Sequence, residues 1–124
     1  MKLRQLMAVT KALSDENRVR MLMVISQGEL CVCQIIGIFG LSPSTTSKHL
    51  SILYQAGLLD CRKNGRWAHY RLPGKDAPQV ILEAVEWITK AASGEPQMAE
   101  DIKRLHSILK VDPQTLCKQQ QCRK

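Results

Sequence analysis

At 124 residues the chain has single-domain length, and its 44% hydrophobic content is too high for a disordered segment. Only 4% of residues are aromatic, so Leu, Ile, Val, Met and Ala must build the core, and no stretch approaches the roughly 18 apolar residues of a membrane span. A formal charge of +7 favours a polyanionic partner, although solubility alone accounts for such a charge unless a motif joins it.

Leu3, Leu6, Met7, Thr10 and Leu13 recur at helical spacing and predict a first helix. Lys2, Arg4 and Lys11 interrupt its apolar residues, so the segment does not read as a secretory signal and the chain is expected in the cytoplasm, away from membranes. Ser14 reads as the N-cap of a second helix, with Asp15 and Glu16 in its first turn and Val19, Leu22 and Met23 as its buried stripe. Gly28 ends it. A third, short helix is predicted from Leu30 to about Phe39, closed by Gly40. Ser42 caps a fourth with Pro43 in its first position, and that helix reaches about Ala56 with Leu50 and Leu53 inward.

From Leu58 to Arg71 the pattern alternates like two strands around Asn64-Gly65. A type I′ turn there, with positive φ at both residues, pairs Lys63 with Arg66, Arg62 with Trp67, Cys61 with Ala68, Asp60 with His69 and Leu59 with Tyr70. Leu59, Cys61, Ala68 and Tyr70 then share an inward face, and Trp67 is placed to stack on Arg62. Val80, Ala84, Trp87, Ile88 and Ala91 define a fifth helix, and Met98, Ile102, Leu105 and Leu109 a sixth, which Asp112-Pro113 ends before a polar tail. His106 is expected on the solvated side of the sixth helix.

The order of these elements is that of a winged helix-turn-helix, mainly α with a small antiparallel β-hairpin. Residues 1–94 would form the DNA-binding and dimerisation part, and residues 95–124 a C-terminal helix and cysteine-containing tail. The fourth helix is then the recognition helix. Its early residues Ser44, Thr45, Ser47 and Lys48 are short and polar or cationic, suited to base edges and phosphates of double-stranded DNA in the major groove. Lys63, Asn64 and Arg66 cluster at the hairpin tip, where phosphate contact is natural. His49 suits either a DNA contact or a structural hydrogen bond.

Five cysteines without a secretory signal read as thiols, metal ligands or redox sensors rather than a disulfide framework. Cys61 is expected to be a buried structural thiol. Cys31 and Cys33 are separated by about 200° of rotation on a regular helix. They can grip one soft ion only if the first turn of that helix unwinds or was never helical, and a helix N-terminus favours the thiolate that such ions prefer. Cys117 and Cys122 in the tail supply a further ligand, form a separate site, or are idle.

The segments "ALSDENRVRML", "GELCVCQI", "LSPSTTSKHLSILYQAGLL" and "RKNGRWAHYRL", in that order from about Lys11 to Leu72, resemble the ArsR-type family of bacterial metalloregulators. The resemblance implies a homodimeric winged-helix repressor whose apo form binds an operator and is released by a metal or metalloid. It implies dimer contacts from Leu3 to Leu13 and from Val80 to Ala92. "ELCVC" resembles the arsenic and antimony sensors and, more loosely, the cadmium and lead sensors, which makes Cys31 and Cys33 the central thiolates and trivalent arsenic or antimony the inducer. At Ile36 the chain departs from the arsenical pattern, which often has a third cysteine there, so one helix alone does not supply three thiolates. Zinc sensors of the family use Asp and His on the helix after the wing; here Glu83 and Glu86 stand there without a histidine. Nothing resembles a catalytic triad, a phosphate-binding glycine loop or a carboxylate pair, so an enzyme is not expected. A repressor answering cadmium, lead or thiol oxidation remains the nearest alternative, and a thiol-based metal buffer or oxidoreductase the alternative of another class.

Overall fold

The computed structural model describes the backbone of residues 2–121 and the side chains of residues 2–117, so Cys122 lies outside the described residues. The chain runs α1 (Leu3–Ala12), α2 (Glu16–Ile25), β1 (Leu30–Cys31), α3 (Val32–Phe39), α4 (Pro43–Gln55), β2 (Asp60–Asn64), β3 (Trp67–Arg71), α5 (Gln79–Ala92), α6 (Pro96–Leu109) and α7 (Pro113–Gln121). Three antiparallel strands form a sheet in the order β1-β3-β2. One apolar cluster joins α1 to α6: Leu22, Ile25, Ile35, Leu50, Leu53, Leu58, Ile81 and Leu105 belong to it. Among the described residues no helix is long and apolar enough to cross a membrane.

The caps explain where the helices begin. Ser42 Oγ accepts from Thr45 N–H at 3.1 Å with Pro43 at the first position of α4, as the sequence predicts. For α2 the cap is Asp15 rather than Ser14: Asp15 Oδ1 accepts from Arg18 N–H at 3.2 Å, while the Ser14 hydroxyl turns back to the Lys11 carbonyl. A carboxylate at that position also meets the positive end of the helix dipole.

Three further expectations are corrected. Leu30 and Cys31 do not open α3; they pair with Tyr70 and His69 of β3, so their backbone is extended and the helix begins at Val32. The hairpin pairs Cys61 with Tyr70, Arg62 with His69, Lys63 with Ala68 and Asn64 with Trp67, so Gly65 and Arg66 form the turn. Gly65 has φ 65° and no non-glycine residue has positive φ among those described, so the turn needs a left-handed residue only at its first centre and Asn64 stays in the strand. The slip is by two residues, which preserves the predicted faces: Cys61 and Tyr70 still lie opposite to Arg62 and His69. Finally, the tail after Asp112-Pro113 is not a plain polar coil. Pro113 opens α7, which packs on α3.

A buried ion pair fixes α6 to α2. Arg20 Nε and Nη2 donate to Asp101 Oδ2 and Oδ1, both at 2.8 Å, and Gln97 Nε2 adds a bond to Oδ1 at 3.0 Å. Asp101 is 0% exposed, and the Arg20 guanidinium also sits 5.1 Å over the Phe39 ring at the end of α3. The bond to Asp101 holds the Arg20 pKa above its ordinary value. Loss of Arg20 would leave Asp101, which is fully buried, as an uncompensated charge, which typically costs about 3–5 kcal/mol.

Candidate functional site

α4 lies at the surface with its early side chains turned outward. Ser44, Thr45, Ser47 and Lys48 are exposed, whereas Thr46, Leu50 and Leu53 face the core and anchor the helix. The alternation follows from helical periodicity and leaves one polar stripe free for a ligand. Lys63, Asn64 and Arg66 are exposed at the tip of the β2–β3 wing. The predicted DNA-reading residues therefore occupy two accessible elements, α4 and the wing tip.

His49 takes the structural bond. Arg18 Nη1 approaches His49 Nδ1 at 3.2 Å, while its Nε donates to the Ala12 carbonyl at 2.8 Å and its Nη2 to the Lys11 carbonyl at 3.0 Å. A guanidinium only donates, so Nδ1 accepts and the proton of neutral His49 lies on Nε2. One arginine thus ties the last carbonyls of α1 to α4. Sequence reasoning missed this clasp because its partners are 6, 7 and 31 residues from Arg18.

The base of the wing is tied to the segment before Cys31. Arg62 donates to Glu29 Oε1 through Nη2 at 2.7 Å and Nε at 3.2 Å, and His69 Nδ1 lies 3.6 Å from the same oxygen. The Arg62 hydrogen bond holds the Glu29 carboxyl below its ordinary pKa. Arg62 is therefore not a stacking partner for Trp67; Trp67 stacks on His69 instead, with centroids 6.4 Å apart. On the other face Cys61 is half-buried rather than fully buried, beside Tyr70, whose phenol is pushed up to about 12 by burial first and the neighbouring Cys61 second.

The thiols divide into two groups. Cys31 is 2% exposed and stands at the N-cap of α3 with extended backbone, and its N–H donates to Gln34 Oε1 at 2.9 Å. Cys33, in the first turn of α3, is bonded to Cys117 of α7, with Cα atoms 5.5 Å apart. This bond is not predicted by the expectation of thiols, metal ligands or redox sensors rather than a disulfide framework. The reason is α7, which brings a residue 84 positions away against α3. A signal for it existed: Asp112-Pro113 has the same cap-then-proline form as Ser42-Pro43, so it reads as a start as well as a stop. Among the described residues no three His, Cys, Asp or Glu side chains converge as a ready-made metal centre.

A helix-turn-helix with an exposed polar recognition helix, followed by a basic-tipped hairpin, defines a winged helix-turn-helix DNA-binding protein. Residues 15–60 match the family model described as bacterial regulatory protein, arsR family. The arsenical resistance operon repressor of Escherichia coli (strain K12) is 37% identical over 95 residues, which cover 76% of this chain and 78% of that protein. A cadmium resistance transcriptional regulatory protein CadC homolog of Staphylococcus aureus is 40% identical over 77 residues, covering 61% of this chain and 64% of the relative. Among solved structures, the homodimeric winged helix-turn-helix DNA-binding domain of Mb0332 from Mycobacterium bovis, a possible ArsR-family transcriptional regulator, superposes with a TM-score of 0.63 at 29% identity over 76% of this chain and 83% of that one. The chain belongs to the ArsR family; it is a transcriptional repressor of that family and not an enzyme.

Proposed function

We propose that this protein is a cytoplasmic homodimer that represses an operator in its metal-free form and is released when trivalent arsenic or antimony is captured by Cys31 and Cys33, with Cys117 as third thiolate. The position of Cys31 carries the reading. It is extended rather than helical, so the angular conflict between residues two apart on a helix does not apply to it. Its donor set is all sulfur, which suits a soft ion. Cys117 stands against Cys33 and supplies the thiolate that Ile36 does not. Cys122 remains a further candidate ligand.

The location supplies the coupling. β1 carries Cys31 and pairs with β3 of the wing, and α3 carries Cys33 and leads through Gly40 and Leu41 into α4. An ion that draws these sulfurs together displaces both elements that face DNA. Ser44, Thr45, Ser47 and Lys48, with Lys63, Asn64 and Arg66 on the wing, would make the base and phosphate contacts; His49 supports α4 and offers its Nε2–H to a phosphate. Couplings of about 1–3 kcal/mol are typical, and a near-complete switch needs about a 10⁴-fold preference of the ion for the DNA-free form.

The test is titration of the reduced protein on operator DNA. Arsenite or antimonite should release the wild type, whereas Cys31→Ser and Cys33→Ser should bind DNA normally and stay bound. Arsenite that leaves the wild-type complex intact overturns the reading. Similarity to the cadmium regulator favours one second reading, in which cadmium or lead is the inducer; release by cadmium alone would select it.

A further inference from the structure

We propose that Cys33 and Cys117 form a reversible, oxidant-made lock that fastens α7 onto α3 and, while closed, takes away the protein's capacity to bind a soft ion. The second half rests on the thiolate site proposed above; the first half stands on packing alone.

The two sulfurs are brought together by a seat on α3. A Cβ at Gly37 would lie 2.7 Å from the terminal Cδ1 of Ile108 on α6, so the bare glycine makes room for that side chain, and Leu116 Cδ2 of α7 packs beside it at 3.8 Å from the same point, an ordinary van der Waals distance. Leu116, next to Cys117, is 6% exposed in that seat. The Cα separation of 5.5 Å at Cys33 and Cys117 lies in the ordinary disulfide range. Neither remaining described thiol takes part in a disulfide: Cys31 is buried at its N-cap, and Cys61 is on the wing beside Tyr70. Among the described cysteines, oxidation is thereby directed to the Cys33–Cys117 pair.

With hydrogen peroxide as oxidant, one thiolate attacks the peroxide oxygen, takes up a hydroxyl as sulfenic acid and releases water after protonation. The second thiol then attacks that sulfur, the S–S bond forms and a second water leaves. Two electrons pass from the sulfurs to the peroxide. A dithiol reductant reverses the step by exchange, returning two electrons and two protons. In the closed form Cys33 has no thiolate to offer and Cys117 is consumed with it, so of the three thiolates proposed above only Cys31 is left. The first turn of α3 stays as it is, helical from Val32, so the DNA-facing elements keep their present arrangement. A closed lock therefore yields a repressor that holds DNA and ignores the inducer.

The full-length reduced protein would be treated with hydrogen peroxide and followed by peptide mapping, limited proteolysis and elemental analysis of bound arsenic and cadmium. Expected are a cross-linked Cys33–Cys117 peptide, gain of protease protection over α7, loss of arsenic and cadmium uptake, retained operator binding, and return of uptake after a dithiol. Cys117→Ser should give no cross-linked peptide and no gain in protection. A different disulfide, sulfinic acid at Cys33, or uptake that survives a mapped and complete lock overturns the proposal. If the reduced protein takes up neither ion, the thiolate-site reading falls, and mapping with protease protection still decides whether the lock exists.

Discussion

Thr46 is 0% exposed in α4, and its hydroxyl has no hydrogen-bond partner among the described residues. An unpaired buried hydroxyl carries its desolvation cost without return, so an apolar side chain of the same shape should fit better. Thr46→Val is expected to raise stability by about 1 kcal/mol in urea denaturation, with operator affinity unchanged because the side chain faces away from the exposed stripe. Tyr70 makes a second prediction. Its phenol is pushed up to about 12, chiefly by burial and then by Cys61, so the folded state favours the neutral form. The associated stability is complete below the unfolded value of about 10 and is lost as pH rises toward the folded value. Tyr70→Phe should flatten the fall in stability over that alkaline window; an unchanged slope would show that Tyr70 is not responsible.

For the elements, the wing is the clearest case of division of labour. Arg62 at its base is engaged by Glu29, while Lys63 and Arg66 at its tip are exposed. If the tip contacts phosphates, Lys63→Ala and Arg66→Ala should each weaken binding across all DNA sequences and reduce the slope of log K against log salt by about 0.9. A salt titration that returns the wild-type slope removes the wing from the interface. The Glu29 anchor has the opposite pH sense to Tyr70. Because its pKa is lowered in the fold, its contribution is present above the ordinary carboxylate value and fades as pH falls through the lowered one, so the wing base should hold throughout the neutral range.

Across the whole molecule, the described monomer leaves large apolar side chains outside. Leu3 on α1 is 72% exposed and Trp87 on α5 is 63% exposed, with Leu6, Met7 and Val80 also outward. The apolar stripe of α5 is thus split: Ile81, Val85 and Ala92 go to the core, and Val80 and Trp87 to the surface. This is the pattern expected of a helix that serves a core and an interface at once. If these side chains form the interface of the proposed homodimer, Trp87→Glu should shift the protein from dimer to monomer in sedimentation and lower operator affinity with it. A variant that stays dimeric would place the interface elsewhere.

The order of the first six helices, the Ser42-Pro43 start of α4, the basic wing tip and the cysteine pair were all legible in the sequence, because each depends on residues close together in the chain. Periodicity, capping and turn chemistry act over a few positions. The contacts that decide the site span longer distances: Cys31 with His69 in β1–β3, Arg18 with His49, Arg20 with Asp101, and Cys33 with Cys117. None has a local signature, since strand pairing and helix docking are chosen by which buried surfaces and polar partners meet in space. Residue chemistry marked the candidate sulfurs, and tertiary packing decided which of them stand together.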